Sequence, residues 1–210
     1  MIGRVRERIR RFGVIAALNS ALPVQEVIEV GDALLASPIL VMAISLQSRD
    51  ALDAIAELCQ RYGEHMLIGA DDVTSAGQVD DAWRCDAQFL ISPAYSEPVA
   101  AQARRRGVLL LSGVSNGVEV QAAAASGCRM VNYRSAGARG REILAELTVR
   151  FPDMDFVASG GVDLANVADF KRAGAAAVII GNQRLPHIVW SASTLITQTR
   201  ALRAAWEAAR

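Results

Sequence analysis

A single lysine, Lys171, stands among 210 residues, with two histidines (His65 and His187) and three cysteines (Cys59, Cys85 and Cys128). Each scarcity removes a class of function. Two histidines argue against a multi-histidine metal site. The cysteines are odd in number, far apart and without C-x-x-C spacing, which argues against a disulfide framework and a zinc site. They read as small buried hydrophobes in a reducing cytoplasm. Aromatic residues make up 5% of the chain, too few for platforms that stack single-stranded nucleic acid. Basic and acidic residues balance at 22 each, so net charge recruits neither nucleic acid nor a membrane surface. No apolar run approaches the ~20 residues of a membrane-spanning helix.

What is present is a large apolar content, 52%, distributed in an alternating pattern. Arg4 to Arg11 is basic and Gly13 to Leu22 apolar, an arrangement superficially like a secretory signal. The apolar core Val14–Leu18 is shorter than the roughly 7–15 residues a signal needs, and Asn19 and Ser20 interrupt it. The segment therefore reads as an amphipathic lead-in helix and a first strand. Eight short apolar runs follow the pattern of strands buried on both faces: Gly13–Leu18, Ile39–Leu46, Met66–Ala70, Gln88–Ser92, Val108–Ser112, Arg129–Tyr133, Asp155–Ser159 and Ala176–Gly181. Helical stripes lie between them: Leu52, Ile55, Leu58, Cys59 and Tyr62; Val118, Val120, Ala123 and Ala124; Ile143, Leu144 and Leu147. Ser96, Glu97 and Pro98 read as a helix start. Gly107, Gly127 and Gly174 sit where a helix C-terminus precedes a strand. Strands recur roughly every 20–27 residues, the period of a βα unit with short loops. Residues 1–210 therefore read as one α/β domain, and periodicity alone leaves a closed barrel and a doubly wound sheet both open.

Several segments together are similar to one family. Leu67-Ile-Gly-Ala-Asp-Asp-Val73 resembles the third strand of the 2-keto-3-deoxy-6-phosphogluconate and 4-hydroxy-2-oxoglutarate aldolases, which reads I-G-A-G-T-V. Ala87–Pro93, continuing to Ser96-Glu-Pro98, is similar to their fourth strand and following helix. Leu111-Ser-Gly-Val-Ser115 looks like the fifth strand, with Ser112 where a proline is usual. Ala158-Ser-Gly-Gly-Val162 and Ile179-Ile-Gly181 resemble the T-G-G-I/V and I-G-G-S motifs of the seventh and eighth. The resemblance implies a (β/α)8 TIM barrel with a short N-terminal helix, usually a homotrimer. It also implies lyase chemistry on small 2-oxo acids. The family forms an imine on a sixth-strand lysine, a position held here by Asn132, whose amide nitrogen is delocalised and forms no imine. Its proton-shuttling glutamate corresponds to Ala43, and its carboxylate-binding arginine to Asn19. Lys171 falls near a helix C-terminus ahead of the eighth strand, in the outer ring of a barrel at the end away from the strand C-termini.

Barrel sites form at the C-terminal ends of strands. The ligand-binding candidates there are Asn19, Ser92, Asn132, Arg134, Ser159, Gly160, Gly161, Gly181 and Asn182. The three glycines suit the close backbone approach that holds an anion. Arg134 and Arg139 read as loop arginines. Asp71 and Asp72 are an adjacent acidic pair. A magnesium site is one reading of the pair; a helix cap beside a solvated carboxylate is the favoured one. Two functions follow. The first is an aldolase-like protein that has lost imine catalysis and binds a small anionic ligand, or serves as a structural partner. The alternative is a lyase or isomerase on a 2-oxo acid or sugar phosphate by a lysine-independent route, either metal-assisted or substrate-assisted. No cofactor is expected beyond that magnesium. The expected partners are a small anionic metabolite and further copies of the chain; nucleic acid and membrane are not expected.

Overall fold

The computed structural model describes residues 2–18, 22–134, 139–181 and 192–209. Eight parallel strands, β1 (Val14–Leu18), β2 (Val41–Ser45), β3 (Leu67–Asp71), β4 (Phe89–Ile91), β5 (Leu109–Val114), β6 (Met130–Arg134), β7 (Asp155–Ser159) and β8 (Ala177–Gly181), form one sheet. Each pairs with the next, and β1 pairs with β8, which closes the barrel and excludes a doubly wound sheet. The helices are α1 (Ile2–Phe12), α2 (Val24–Ala36), α3 (Ala51–Tyr62), α4 (Ala76–Arg84), α5 (Glu97–Arg106), α6 (Gly117–Ala125), α7 (Gly140–Arg150), α8 (Val167–Arg172) and α9 (Ala192–Ala208).

Closure explains the uninterrupted apolar strands. Side chains alternate between two buried layers, so neither face can be polar along most of its length. Ile15, Ala17, Val41, Ala43, Leu67, Phe89, Leu109, Leu111, Met130, Val157 and Ile179 fill the barrel interior. Their strand neighbours, such as Met42, Ile68, Leu110, Val131 and Val178, face the helices. Helix α1 closes the N-terminal end, its Val5 and Ile9 packing into the interior layer. Its other face anchors by charge: Arg6 Nε donates to Asp155 Oδ2 at 2.6 Å, at the entrance of β7. The opposite end is left open by small residues. Ala17, Ala43 and Gly69 lie side by side in register, and the fully buried Ala43 adds only a methyl to the interior.

The punctuation read from sequence is largely present. Helix α5 begins at Glu97, although the Ser96 side chain makes no capping bond. Gly107, Gly127 and Gly174 all have positive φ ahead of their strands. One helical stripe needs correction: α6 buries Val120 and Ala123, while Val118 is 79% exposed, because its position in the first turn rotates it away from the barrel.

Ser112 is the exception within the outer layer. It alternates with Leu111 and faces the helices beside Leu110 and Val114. It is fully buried, and its hydroxyl has no hydrogen-bond partner among the described residues. A buried hydroxyl left unpaired is destabilising by about 1–3 kcal/mol. Replacing it, Ser112→Ala, is expected to raise the urea midpoint with an unchanged slope, a gain of about 1 kcal/mol. A lowered midpoint would show that the hydroxyl is bonded in solution.

Candidate functional site

The alternation that fills the interior with apolar residues ends, at the C-terminal mouth, in polar ones. Along β3 the inward positions run Leu67, Gly69, Asp71; along β6, Met130, Asn132, Arg134; along β7, Val157, Ser159. They surround a cavity of about 330 Å3, whose wall includes Asn132, Arg134, Ser159, Gly160, Gly161 and Gly181. Asp71, Asp72 and Pro93 line it with them. Ser92 takes a different place. Strand β4 ends at Ile91, and the buried Ser92 turns its hydroxyl to the Ala94 carbonyl at 3.0 Å. Asn19 and Asn182 lie outside the described residues. Arg139 pairs with Glu142 at 2.9 Å on an exposed helix turn.

Each polar group is held by a neighbour. The Ser159 hydroxyl donates to Asn132 Oδ1 at 2.6 Å. That leaves the Asn132 amide N–H groups, on a side chain buried at 5% exposure, with no partner among the described residues. Arg134 donates to the Pro93 carbonyl at 3.0 Å. That carbonyl can approach because residue 113 is glycine: a Cβ there would lie 2.3 Å from Pro93 O. Gly160 and Gly161 both have positive φ, at 82° and 77°, and present a wall of main chain without side chains.

The acidic pair departs from the helix-cap reading. Ser75, not an aspartate, caps α4, accepting from the Gln78 N–H. Strand β3 continues to Asp71, which turns the carboxylate of Asp71 into the barrel mouth. Asp71 Oδ1 accepts from the Asp72 N–H at 2.7 Å, and Asp72 Oδ2 accepts from the Ser45 hydroxyl at 2.6 Å. Burial, and then the charge of Asp72, push the Asp71 carboxyl up to about 6, against the smaller opposing effects of the Asp72 N–H and Arg134. One oxygen of each carboxylate is thus already engaged. Among the described residues no group of three or more histidine, cysteine, aspartate or glutamate side chains is placed to hold a metal ion.

Lys171 lies far from this mouth in the fold. It sits in the last turn of α8, donates to the Trp206 carbonyl of α9 at 2.9 Å and stands 5.3 Å from the Trp206 ring centroid. No lysine lines the cavity. Tyr133 is packing: it is buried facing the helices, and its hydroxyl donates to the Gly140 carbonyl.

A carboxyl with its folded pKa raised favours folding when protonated. That contribution is complete below the unfolded value of about 4 and is lost as pH rises through about 6. The isosteric change Asp71→Asn keeps an acceptor for the Asp72 N–H and removes the charge. At pH 8 this variant is expected to be more stable than the parent by on the order of 2 kcal/mol. The gap should close below pH 4, as measured by denaturant titration across pH. A pH-independent gap would place Asp71 in open solvent.

Comparison with known proteins agrees with the geometry. The 2-dehydro-3-deoxy-phosphogluconate aldolase of Treponema pallidum (strain Nichols) is 27% identical over 165 residues, covering 78% of this chain and 76% of that protein. The KHG/KDPG aldolase of Escherichia coli K12 is 25% identical over 205 residues, covering 97% and 96%. The solved structure of native KDPGal superposes with a TM-score of 0.87 at 25% identity, covering 93% of this chain and 95% of that one. A designed cage made by fusing symmetric oligomeric domains gives 0.88 at 24% identity, over 95% of this chain and 73% of that one. No helix among the described residues is long and apolar enough to cross a membrane. The model of the KDPG and KHG aldolases matches residues 5–197; the chain belongs to the KDPG and KHG aldolase family.

Proposed function

We propose that the chain is a lyase on a small 2-oxo acid or its phosphorylated sugar-acid form, working by acid–base catalysis without an imine. The observation that carries this reading is Asp71: a half-hidden carboxylate of raised pKa that faces unpartnered amide donors and an arginine across one cavity. The pKa of about 6 suits a group that must both take and return a proton near neutrality.

The substrate carbonyl oxygen lies against the Asn132 amide, and the Arg134 guanidinium holds its carboxylate. Asp71 removes the proton from the C4 hydroxyl. The C3–C4 bond breaks, an aldehyde forms, and the electron pair moves into an enolate whose oxygen accepts from Asn132. Donors aimed at developing negative charge lower such a barrier most where water is excluded. Protonated Asp71 then returns its proton to C3, and the carboxylate is regenerated. The main chain of Gly160 and Gly161 lines the side of the cavity that would receive a terminal anion. No metal enters this route. The family relatives support the 2-oxo acid class; assembly as a homotrimer is part of the proposal and follows from the family resemblance.

Exchange of the C3 hydrogens of pyruvate or 2-oxobutyrate in D2O, followed by NMR, tests the chemistry. The protein should accelerate exchange with a rate that rises with pH through about 6. It should resist EDTA and lose about 100-fold or more in Asp71→Asn. Intact mass after pyruvate and cyanoborohydride should show no adduct while a control aldolase is labelled. Thermal stabilisation by these acids without exchange would instead establish a binding protein, and loss of exchange with EDTA a metal route. Light scattering is expected to give three times the mass of the chain.

A further inference from the structure

Among the described residues the mouth of the cavity carries three charged side chains, Asp71, Asp72 and Arg134, and the proposed route gives work only to the first and last. Asp72 has two peculiarities. Its backbone is left-handed, with φ 57°, a region that aspartate enters more readily than most non-glycine residues when local bonds favour it. Its carboxylate is also held by a side chain from the neighbouring strand. Ser45 ends β2, is fully buried and stands opposite Asp71 in register. Its hydroxyl donates to Asp72 Oδ2 at 2.6 Å while accepting from the Gln47 N–H at 3.2 Å. The Gln47 bond occupies a lone pair and leaves the hydroxyl proton for Asp72.

The consequence falls on Asp71. The Asp72 N–H lies in the peptide plane that follows Asp71 and donates to Asp71 Oδ1 at 2.7 Å. The left-handed φ of Asp72 sets where its own carboxylate goes relative to that plane, and the carboxylate meets Ser45. The other oxygen of Asp71, Oδ2, makes no hydrogen bond among the described residues, on a side chain that lines the cavity. We infer that Asp72 is a positioning residue: its carboxylate, tethered by the Ser45 hydroxyl, holds in place the peptide whose N–H occupies Oδ1 of Asp71, and so reserves Oδ2 as the atom that carries the proton. This rests on the acid–base role of Asp71 proposed above.

The two halves of the device act on Asp71 in opposite directions. The charge of Asp72 favours the protonated carboxyl, and the N–H it delivers favours the carboxylate. Among the described residues Arg134 is the remaining charge acting on the group, and it is common to every variant. Asp72→Asn keeps an acceptor for Ser45, tolerates the left-handed backbone and removes the charge. Ser45→Ala keeps the charge and removes the tether.

The experiment is a carbon-13 NMR titration of the Asp71 carboxyl, its signal assigned by its loss in Asp71→Asn. The midpoint is expected to fall by about 1 pH unit in Asp72→Asn and to rise in Ser45→Ala. Deuterium exchange supplies a second readout: Ser45→Ala should lower kcat roughly 10-fold with KM unchanged. Midpoints that stay fixed, or move together in one direction, overturn the inference. Because the titration needs no turnover, a parent protein that exchanges no hydrogen yet shows the opposed midpoints would sink the lyase reading and leave the tether standing.

Discussion

Closure of the sheet between β8 and β1 decides the identity of every group that can act in this protein. Once the last strand pairs with the first, each strand has one inward and one outward face for its whole length. The interior is too narrow for a channel, so inward side chains must pack with one another until the mouth is reached. Chemistry is then confined to the final inward position or two of each strand. Asp71, Asn132, Arg134 and Ser159 are those positions on β3, β6 and β7. The N-terminal end is covered by α1 through Val5, Ile9 and the Arg6–Asp155 pair, and the cavity lies at the opposite end, at the C-termini of the strands.

Small residues next to large ones let that mouth hold a buried carboxylate. Gly69, two residues below Asp71 on β3, admits the Phe89 ring, which a Cβ there would meet at 2.6 Å, so the floor beneath the carboxylate is packed with apolar atoms. Gly113 allows the segment after β4 to press close enough for the Pro93 carbonyl to anchor Arg134. The guanidinium is therefore fixed by main chain and not by the Asp71 carboxylate. A direct ion pair would drive Asp71 well down and keep it ionised. The arrangement seen here lets burial dominate, and the group titrates near neutrality.

The architecture was legible in the sequence, because strands buried on both faces leave long apolar runs at regular spacing and the family motifs fix their order. All eight strands were placed, with ends shifted by one or two residues. At the C-terminal ends such a shift decides chemistry. Ending the third strand at Ala70 puts Asp71 in a loop, where a carboxylate reads as a helix cap. The strand reaches Asp71 and the cap is Ser75. Ending the sixth strand at Tyr133 makes Arg134 a solvated loop cation, whereas its one added residue of pairing with Ser159 points it inward. Ending the fourth at Ser92 makes that serine a site residue, and the strand stops at Ile91. Period-two alternation counted from the apolar inward residues Leu67 and Met130 would have found Asp71 and Arg134. The tether from Ser45 was not legible, since it depends on register between β2 and β3.

The resemblance places the family's imine-forming lysine where this chain has Asn132, and on the proposed route that difference does more than remove a nucleophile. A lysine on β6 beside Asp71 would be cationic unless desolvation neutralised it, and while cationic it would hold a carboxylate across the mouth firmly ionised. An ionised, cation-paired carboxylate is a weak base. Asn132 contributes hydrogen-bond donors without charge, so Asp71 answers only to its burial, to Asp72 and to a more distant arginine tied elsewhere. On the proposed route, an asparagine at this position in place of an amine strengthens the base beside it and supplies the neutral donor an enolate needs. In that reading the absence of an amine at Asn132 and the acid–base role of Asp71 are one electrostatic arrangement. That is why the acidic pair on β3 and the asparagine on β6 are best understood together.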